Sequence, residues 1–243
     1  MTTTNEKSTQ QIEEALARHF DPDEVKWKPQ MVRGDKALAI AYVDARVIQD
    51  RLDDAVGIGG WKTDYLHVAN GSVECRLSLW INGQWVTKAD VGSTSEQPDE
   101  GDRVKAAYSD ALKRAAVAFG AGRYLYRLPQ QWCPYDAKAR KFTNTPKLPQ
   151  WAIPADCKPC GPNIAGKVAA LIKVVCERSN KDLKQATDKL LEEYRIPVGK
   201  GLETLRHRDA AEVLQRLGKA VEDLARKEPV KPTQTPAIAG KAG

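Results

Sequence analysis

The sequence predicts an α+β fold in which an antiparallel β-hairpin sheet, arranged β-β-β-α, packs against helices. A small C-terminal module of three helices follows this sheet. Two Asn-Gly pairs indicate tight hairpin turns, because Asn and Gly tolerate the positive φ angles that such turns require. Segments with helical spacing of apolar residues precede and follow the hairpins, and three more such segments lie beyond residue 162.

The first 60 residues predict two helices joined by extended chain. Residues 9–20 have amphipathic spacing, and the prolines that follow favour extended backbone because the residue before a proline is displaced from the helical region. Ala37–Ala41 forms a second short extended piece. Residues 43–56 return to the helical period, with Arg46 and Arg51 assigned to the polar face of that helix.

Three strands are predicted next, over Trp61–Val68, Val73–Ile81 and Trp85–Val91. In the middle strand, apolar residues alternate with polar ones, which is typical of a strand with one buried face. An alanine-rich helix over Arg103–Phe119 is expected to lie close against this sheet. The order of these elements gives the β-β-β-α core.

The rest of the chain predicts a linker and a helical module. Residues 130–162 are rich in Pro, Trp and Lys and show no periodicity. Three helices with turn residues between them are predicted beyond this stretch, over Asn163–Glu177, Lys181–Tyr194 and Asp209–Arg226. The expected organisation is a core (10–135), a linker or arm (136–162), a small helical module (163–227) and a tail that is disordered by composition (228–243).

Composition limits the possible functions. The 243 residues carry a formal net charge of +6, with negative charge in excess over residues 1–100 and positive charge in excess over residues 101–243. The first residues do not resemble a signal peptide and no long apolar run is present, so we expect a soluble, cytoplasmic protein that does not enter membranes. Five scattered cysteines fit a reducing compartment.

Two motifs suggest bound ligands but are incomplete. Cys157 and Cys160 form a single CxxC pair, whereas structural zinc takes four ligands, and no second pair or spaced histidines follow. Residues 161–168 approach the phosphate-binding loop GxxxxGK, but Val168 stands where that loop has a magnesium-binding hydroxyl. We therefore expect neither a metal nor a nucleotide cofactor.

A metal-dependent nuclease is the alternative from a different functional class. Such enzymes hold magnesium with an Asp and a Glu-x-Lys motif on adjacent strands. Asp64 with Glu74-x-Arg76 approaches this arrangement, but it has arginine in place of lysine. Solvent-facing charges on the strands explain the same residues, and no recognisable Ser/His/Asp set is present. We therefore expect that the protein is not an enzyme.

A basic stripe on the helix over 103–119 favours nucleic-acid binding. Lys105, Ser109 and Lys113 are spaced by four residues, with Arg114 beside Lys113. Aligned ammonium and guanidinium groups can follow a phosphate backbone. An ion pair within the helix, from Asp110 to Arg114, would explain part of the same pattern, as would a solvated helix face.

An ordered set of short motifs resembles the Rad52/Rad22 single-strand annealing family. The motifs are Tyr42-Val-Asp-Ala-Arg-Val-Ile48, Gly59-Gly-Trp61, Asp90-Val-Gly92 and Ser109-Asp-Ala-Leu-Lys-Arg-Ala115 with Phe119-Gly120. The exit Gly122-Arg-Tyr-Leu-Tyr-Arg-Leu-Pro129 is most similar to bacterial members. The resemblance covers about residues 10–135.

The resemblance implies a ring of protomers with single-stranded DNA in a positively charged groove. Carried over to this chain, Arg46, Lys113 and Arg114 would hold phosphates, and Lys105 matches a further basic position. One turn after Lys113-Arg114, eukaryotic members have a third basic residue where this chain has Val117. At Ile58 an aromatic residue is usual. Either the groove binds DNA more weakly or Arg123 compensates for the missing cation, which gives five DNA-binding candidates in all (Arg46, Lys105, Lys113, Arg114 and Arg123).

The expected function is binding of single-stranded DNA, protection of its ends and annealing of complementary strands in repair and recombination, without ATP. A protein that coats ends without annealing is the alternative among binding proteins. The expected partners are single-stranded DNA and further copies of this chain in a ring. The C-terminal module could contact DNA through Lys200, Arg206 and Arg208 or dock a partner protein, and the alternative is a solvated helical bundle with no ligand of its own. The tail could also bind a partner protein.

Overall fold

The computed structural model describes residues 7–95 and 99–227, and it divides into two compact units after Pro154. The first unit contains three α-helices and seven strands among these residues. The helices are α1 (Thr9–Ala17), α2 (Ala45–Val56) and α3 (Glu100–Phe119). The strands are β1 (Lys26–Arg33), β2 (Lys36–Tyr42), β3 (Trp61–His67), β4 (Val73–Ile81), β5 (Gln84–Gly92), β6 (Gln131–Asp136) and β7 (Lys141–Phe142).

The predicted hairpin sheet is present as an antiparallel sheet in the order β3-β4-β5. Asn82 and Gly83 form the β4–β5 turn with φ angles of 51° and 74°, as tight hairpin turns require. The predicted alternation in β4 is confirmed, because its odd-numbered apolar side chains are buried in the core. These side chains are Val73, Cys75, Leu77 and Leu79.

Helix α3 packs closely against this sheet because the side chains on its inner face are small. Ala107, Ala111 and Ala115 are fully buried on its inner face. At the end of β5, a Cβ atom added to Gly92 would lie 2.3 Å from the backbone nitrogen of Ala111. Glycine is therefore required at this position for the backbone of the strand to approach the helix.

A second sheet, in the order β1-β2-β6-β7, was not expected from the sequence. The interpretation of residues 130–162 as a stretch without strands is wrong over β6 and β7. Strand β6 pairs with β2, so that Gln131 lies opposite Ala39 and Pro134 lies opposite Lys36. These partners are about 90 residues apart in the chain, and the short β6 contains a proline, so local periodicity does not report the pairing.

The assignment of Arg51 to the polar face of α2 is also wrong. Its side chain is 5% exposed, and its guanidinium lies 4.4 Å from the ring centroid of Phe20. One Nη donates hydrogen bonds to the backbone carbonyls of Ala15 (3.2 Å) and Arg18. These bonds satisfy carbonyls at the end of α1, so a charged residue joins α1 to α2 inside the core.

The second unit contains the three predicted C-terminal helices. They are α4 (Gly161–Ser179), α5 (Leu183–Glu193) and α6 (His207–Lys227). They enclose a core of their own, made by apolar residues such as Val168, Ile172, Leu190, Leu205 and Val213. No helix among the described residues has the length and hydropathy needed to cross a membrane.

The segment predicted as a linker, residues 136–162, is divided between the two units. It begins in the first unit with the β6–β7 hairpin, where the rings of Tyr135 and Phe142 lie 5.2 Å apart. Its last residues belong to the second unit, where Pro159 forms a β-bridge with Arg206. The predicted disordered tail (228–243) lies outside the described residues.

Candidate nucleic-acid interface

A cavity of about 370 Å³ opens in the first unit between the β1–β2 hairpin, α2 and α3. Residues between 121 and 130, which follow α3, complete its lining. Cationic and aromatic side chains contribute to its lining together with apolar ones. The cationic and aromatic side chains are Trp27, Lys28, Tyr42, Lys113, Arg114 and Tyr126.

Two lysines from different elements converge on Tyr42, the last residue of β2. The Nζ atom of Lys28, on β1, lies 5.7 Å from the centroid of the tyrosine ring, and that of Lys113, on α3, lies 5.5 Å from it. Both distances are within the range of a cation–π contact. Within residues 7–95 and 99–227 neither ammonium group forms an ion pair.

Burial lowers the pKa of Lys113, and the nearby charge of Lys28 lowers it further. The carboxylate of Asp110 opposes burial with a larger effect than that of Lys28, and Asp44, which is ion-paired with Lys26, opposes it with a smaller one. A partly buried ammonium beside a second cation gains more from an arriving anion than one surrounded by water. The electrostatics of this site therefore favour a phosphate group.

Arg114 also lines the cavity but has a carboxylate partner. Its Nε and Nη2 atoms each lie 3.1 Å from the Oδ1 atom of Asp90 on β5. The sequence alternative in which Asp110 holds Arg114 is therefore not what the structure shows. Both side chains of the Arg114–Asp90 pair are partly exposed, so the pair is weak enough for a phosphate to compete with the carboxylate.

The other three predicted DNA-binding residues do not line the cavity. Arg46 is exposed on the first turn of α2, and no ion pair or hydrogen bond links its side chain to the described part of the chain. Lys105 is exposed on the first turns of α3, where it forms an ion pair with Asp102 at 3.2 Å. The contacts of these residues with DNA remain predictions.

Arg123 caps the C-terminus of α3. Its guanidinium donates hydrogen bonds to the carbonyl oxygens of Val117 (2.9 and 3.1 Å) and Ala118 (2.8 Å). Lys88 donates to the same Ala118 carbonyl and lies 4.6 Å from the ring centroid of Phe119. Positive charge at a helix C-terminus satisfies its free carbonyls, so Arg123 has a structural role that the sequence interpretation did not include.

The structure thus brings Lys113 and Arg114 together and adds Lys28 and Tyr42, which the sequence interpretation missed as site residues. A signal for Lys28 was present, since Lys26-Trp27-Lys28 interleaves basic and aromatic residues. At the two positions that depart from the family pattern, Val117 lines the cavity and Ile58 is 85% exposed.

The residues that suggested a nuclease or a nucleotide site have other contacts in the structure. Arg76 forms an ion pair with Glu74 at 2.7 Å, and Arg76 also stands directly opposite Asp64 in the β3–β4 register. Val168, at the end of the sequence similar to a phosphate-binding loop, is fully buried in the second unit. In the described ranges, no three His, Cys, Asp or Glu side chains are grouped so that they could hold a metal ion.

Comparison with known proteins identifies the family of the first unit. Residues 8–143 match the model of the Rad52/22 family of double-strand break repair proteins, which is more than half of the chain. This chain belongs to the Rad52/22 family. The matched segment holds both sheets, α2, α3 and the cavity, so the lysines around Tyr42 lie in the part of the chain that defines the family.

Two bacterial proteins are similar to more than half of this chain. The single-stranded DNA-binding protein DdrA of Deinococcus radiodurans is 39% identical over 145 residues, which is 59% of this chain and 68% of that protein. The single-stranded DNA-binding protein DdrA of Deinococcus deserti is 42% identical over 147 residues, which is 59% of this chain and 70% of that protein.

Proposed function

We propose that this protein binds single-stranded DNA without catalysis and anneals complementary strands during repair and recombination. The observation that carries the proposal is the convergence of two lysines without ion-pair partners, Lys28 and Lys113, on Tyr42 in a cleft of the Rad52/22 domain. The two DdrA relatives are named as single-stranded DNA-binding proteins, which supports the same ligand.

The chemistry of the cleft fits the phosphate backbone of a single strand. Lys28, Lys113 and Arg114 offer point charges and a guanidinium fork to phosphate oxygens. Of the described helices, α3 carries the cations at this cleft, and it is held against a sheet, which keeps it from entering a major groove as a recognition helix. Binding is therefore electrostatic and indifferent to base sequence.

Self-assembly is a further part of the proposal. The strands β3 and β5 form the two edges of their three-stranded sheet, and neither edge has a partner strand in the described chain. Unpaired edges are sites at which another copy can add its own strand. We place the protomers edge to edge in a ring, with the clefts of successive protomers following one continuous strand of DNA. Sedimentation velocity of the full chain, with and without oligonucleotide, tests this arrangement.

An annealing assay tests the function itself. Two complementary labelled strands are mixed with the protein in EDTA without nucleotide, and duplex formation is followed by energy transfer between the labels. We expect faster annealing than in buffer alone, because no part of the proposal requires ATP or a metal. Binding without acceleration identifies a protein that coats strands, and cleavage after magnesium is restored identifies a nuclease. Either result contradicts the proposal.

A further inference from the structure

The cavity in the Rad52/22 domain is larger and more apolar than phosphate binding requires. Its volume is about 370 Å³, which is at the lower end of the range for pockets that hold small organic molecules. The cations lie on one side of it, on β1 and α3. Its remaining walls are mainly apolar and come from β2, α2, the last turn of α3 and the chain after it, as shown by Leu38, Ile40, Ile48, Val117 and Leu125.

We propose that this cavity holds one unstacked nucleobase of the bound strand in each protomer. The inference rests on the proposed function, because the base enters attached to a phosphate held by Lys28 and Lys113. It adds to that function a contact with the base itself. The strand is then held through both its backbone and one base per cleft, rather than by its phosphates alone.

The aromatic residues of the lining supply the surface that a base needs. Trp27 and Tyr42 are half-buried at the cavity, and the ring of Tyr126 lines it while the residue is 70% exposed. An aromatic ring left in water beside a cavity gains by stacking on a planar heterocycle, whichever base that is. Such a pocket therefore accepts any base.

Polar groups at the cavity match the edges of a base rather than another apolar ligand. The amides of Gln30 and Gln130 and the carboxylate of Asp110 contribute to the lining. Amides both donate and accept hydrogen bonds, as do the edges of all four bases. With two lysines nearby for the phosphate, this set favours a nucleotide, with its polar base and anionic phosphate, over a neutral apolar side chain from a second copy of the protein.

The position of the lysines links the base to its own phosphate. Lys28 and Lys113 contact Tyr42, and Tyr42 itself lines the cavity. A phosphate that bridges the two ammonium groups therefore lies beside an aromatic wall of the pocket. A base joined to that phosphate through its sugar needs no rearrangement of the strand beyond leaving the stack.

The test compares strands with and without bases. Binding of an oligothymidylate and of an oligonucleotide of equal length made of abasic residues is measured by fluorescence anisotropy at one salt concentration. For the wild-type protein we expect the strand with bases to bind about 5-fold or more tightly, the range for stacking of a base on an aromatic side chain. We expect Val117→Phe, which fills the cavity, to remove this difference.

Two further variants separate the possible outcomes. Tyr126→Ala changes an exposed side chain, so it should fold even if Val117→Phe does not, and we expect it to reduce the same difference. Lys28→Ala should weaken both strands by the same factor. Melting temperatures confirm that each variant is folded.

Equal affinity of the wild-type protein for both strands overturns the base pocket and leaves the proposed function standing. Binding of neither strand overturns the proposed function together with the pocket. If Tyr126→Ala or Val117→Phe instead changes the sedimentation coefficient without DNA and keeps the wild-type ratio of affinities, a side chain of a second copy occupies the cavity. That result also contradicts the inference.

Discussion

The carboxylate of Asp90 on β5 lies 3.1 Å from the guanidinium of Arg114 on α3, at the rim of the cavity. This contact joins the sheet to the helix, and it also occupies a cation that the family resemblance assigns to phosphate. A DNA phosphate must displace Asp90 or share Arg114 with it. The ion pair is therefore a local competitor of DNA.

Removing that competitor should strengthen binding. We expect Asp90→Asn to increase the affinity for single-stranded DNA by up to about 1 kcal/mol at low salt, because exposed ion pairs contribute about this much and a nearby negative charge is removed as well. Titrations at low and high salt measure the effect, which salt should diminish. Asp136→Asn, on β6, is the matched control and should leave binding unchanged. Weaker binding of Asp90→Asn would mean that the pair holds Arg114 in its binding position.

The lowered pKa of Lys113 predicts a dependence of binding on pH. A phosphate favours the charged ammonium and so raises the pKa of this group, which means that binding takes up protons in the alkaline range. Affinity should fall as the pH rises through the lowered pKa of the free protein, before the ordinary lysine value of 10.5 is reached. The folding stability of the free protein should change in the opposite direction and rise with pH over this range, because loss of this proton removes an unfavourable buried charge.

Lys113→Arg is the variant that isolates this effect. Arginine remains charged throughout the accessible pH range, so its affinity should change less between pH 7 and pH 10 than that of the wild-type protein. Affinities are compared at constant ionic strength. If the two profiles have the same shape, the titration of other groups controls the pH dependence, and the inferred role of Lys113 is wrong.

The contacts of Arg123 predict that its loss affects stability more than binding. Arg123→Ala leaves the carbonyls of Val117 and Ala118 without this donor, so we expect the free energy of unfolding to fall by about 1 kcal/mol. Denaturant unfolding measures this change, and a DNA titration is made on the same preparation. The opposite outcome, weaker binding at unchanged stability, would restore Arg123 as the substitute for the basic residue missing at Val117.

The parts of the fold that local patterns determine could be predicted. The β4–β5 hairpin follows from Asn82-Gly83 between alternating strands, and the close packing of α3 follows from its alanines. The strand β6 could not be predicted, because β2, the strand that places it in the sheet, lies more than 90 residues earlier in the chain. Arg51 was misplaced for a related reason, since the carbonyls that make its burial possible belong to α1.

Only the part of the candidate site that lies on one helix could be predicted from the sequence. Lys113 and Arg114 are neighbours on one helix, so helical spacing was enough to group them. Lys28 lies 85 residues before Lys113, and the two meet only because the β1–β2 hairpin packs beside α3. The partners of Arg114 and Arg123 are likewise tertiary, and charge patterning along the sequence does not report them.

The proposed function depends on Lys28 and Lys113, which bind the phosphate backbone of a single strand. Each alanine variant should weaken binding by roughly 1–3 kcal/mol, the range for a hydrogen bond to a charged group. Each should also reduce the slope of log K against log salt by about 0.7, as expected for the loss of one neutralised phosphate on a single strand. Lys138→Ala, an exposed lysine in the β6–β7 turn, is the matched control.

The most direct measurement is therefore a salt titration of single-stranded DNA binding by the wild-type protein, the three single variants and the Lys28→Ala/Lys113→Ala double variant. We expect a shallower slope for both cleft variants, a further decrease for the double variant and the wild-type slope for Lys138→Ala. Wild-type affinity and slope in the double variant, with the protein still folded, would show that DNA binds elsewhere and that Lys28 and Lys113 do not form its binding site.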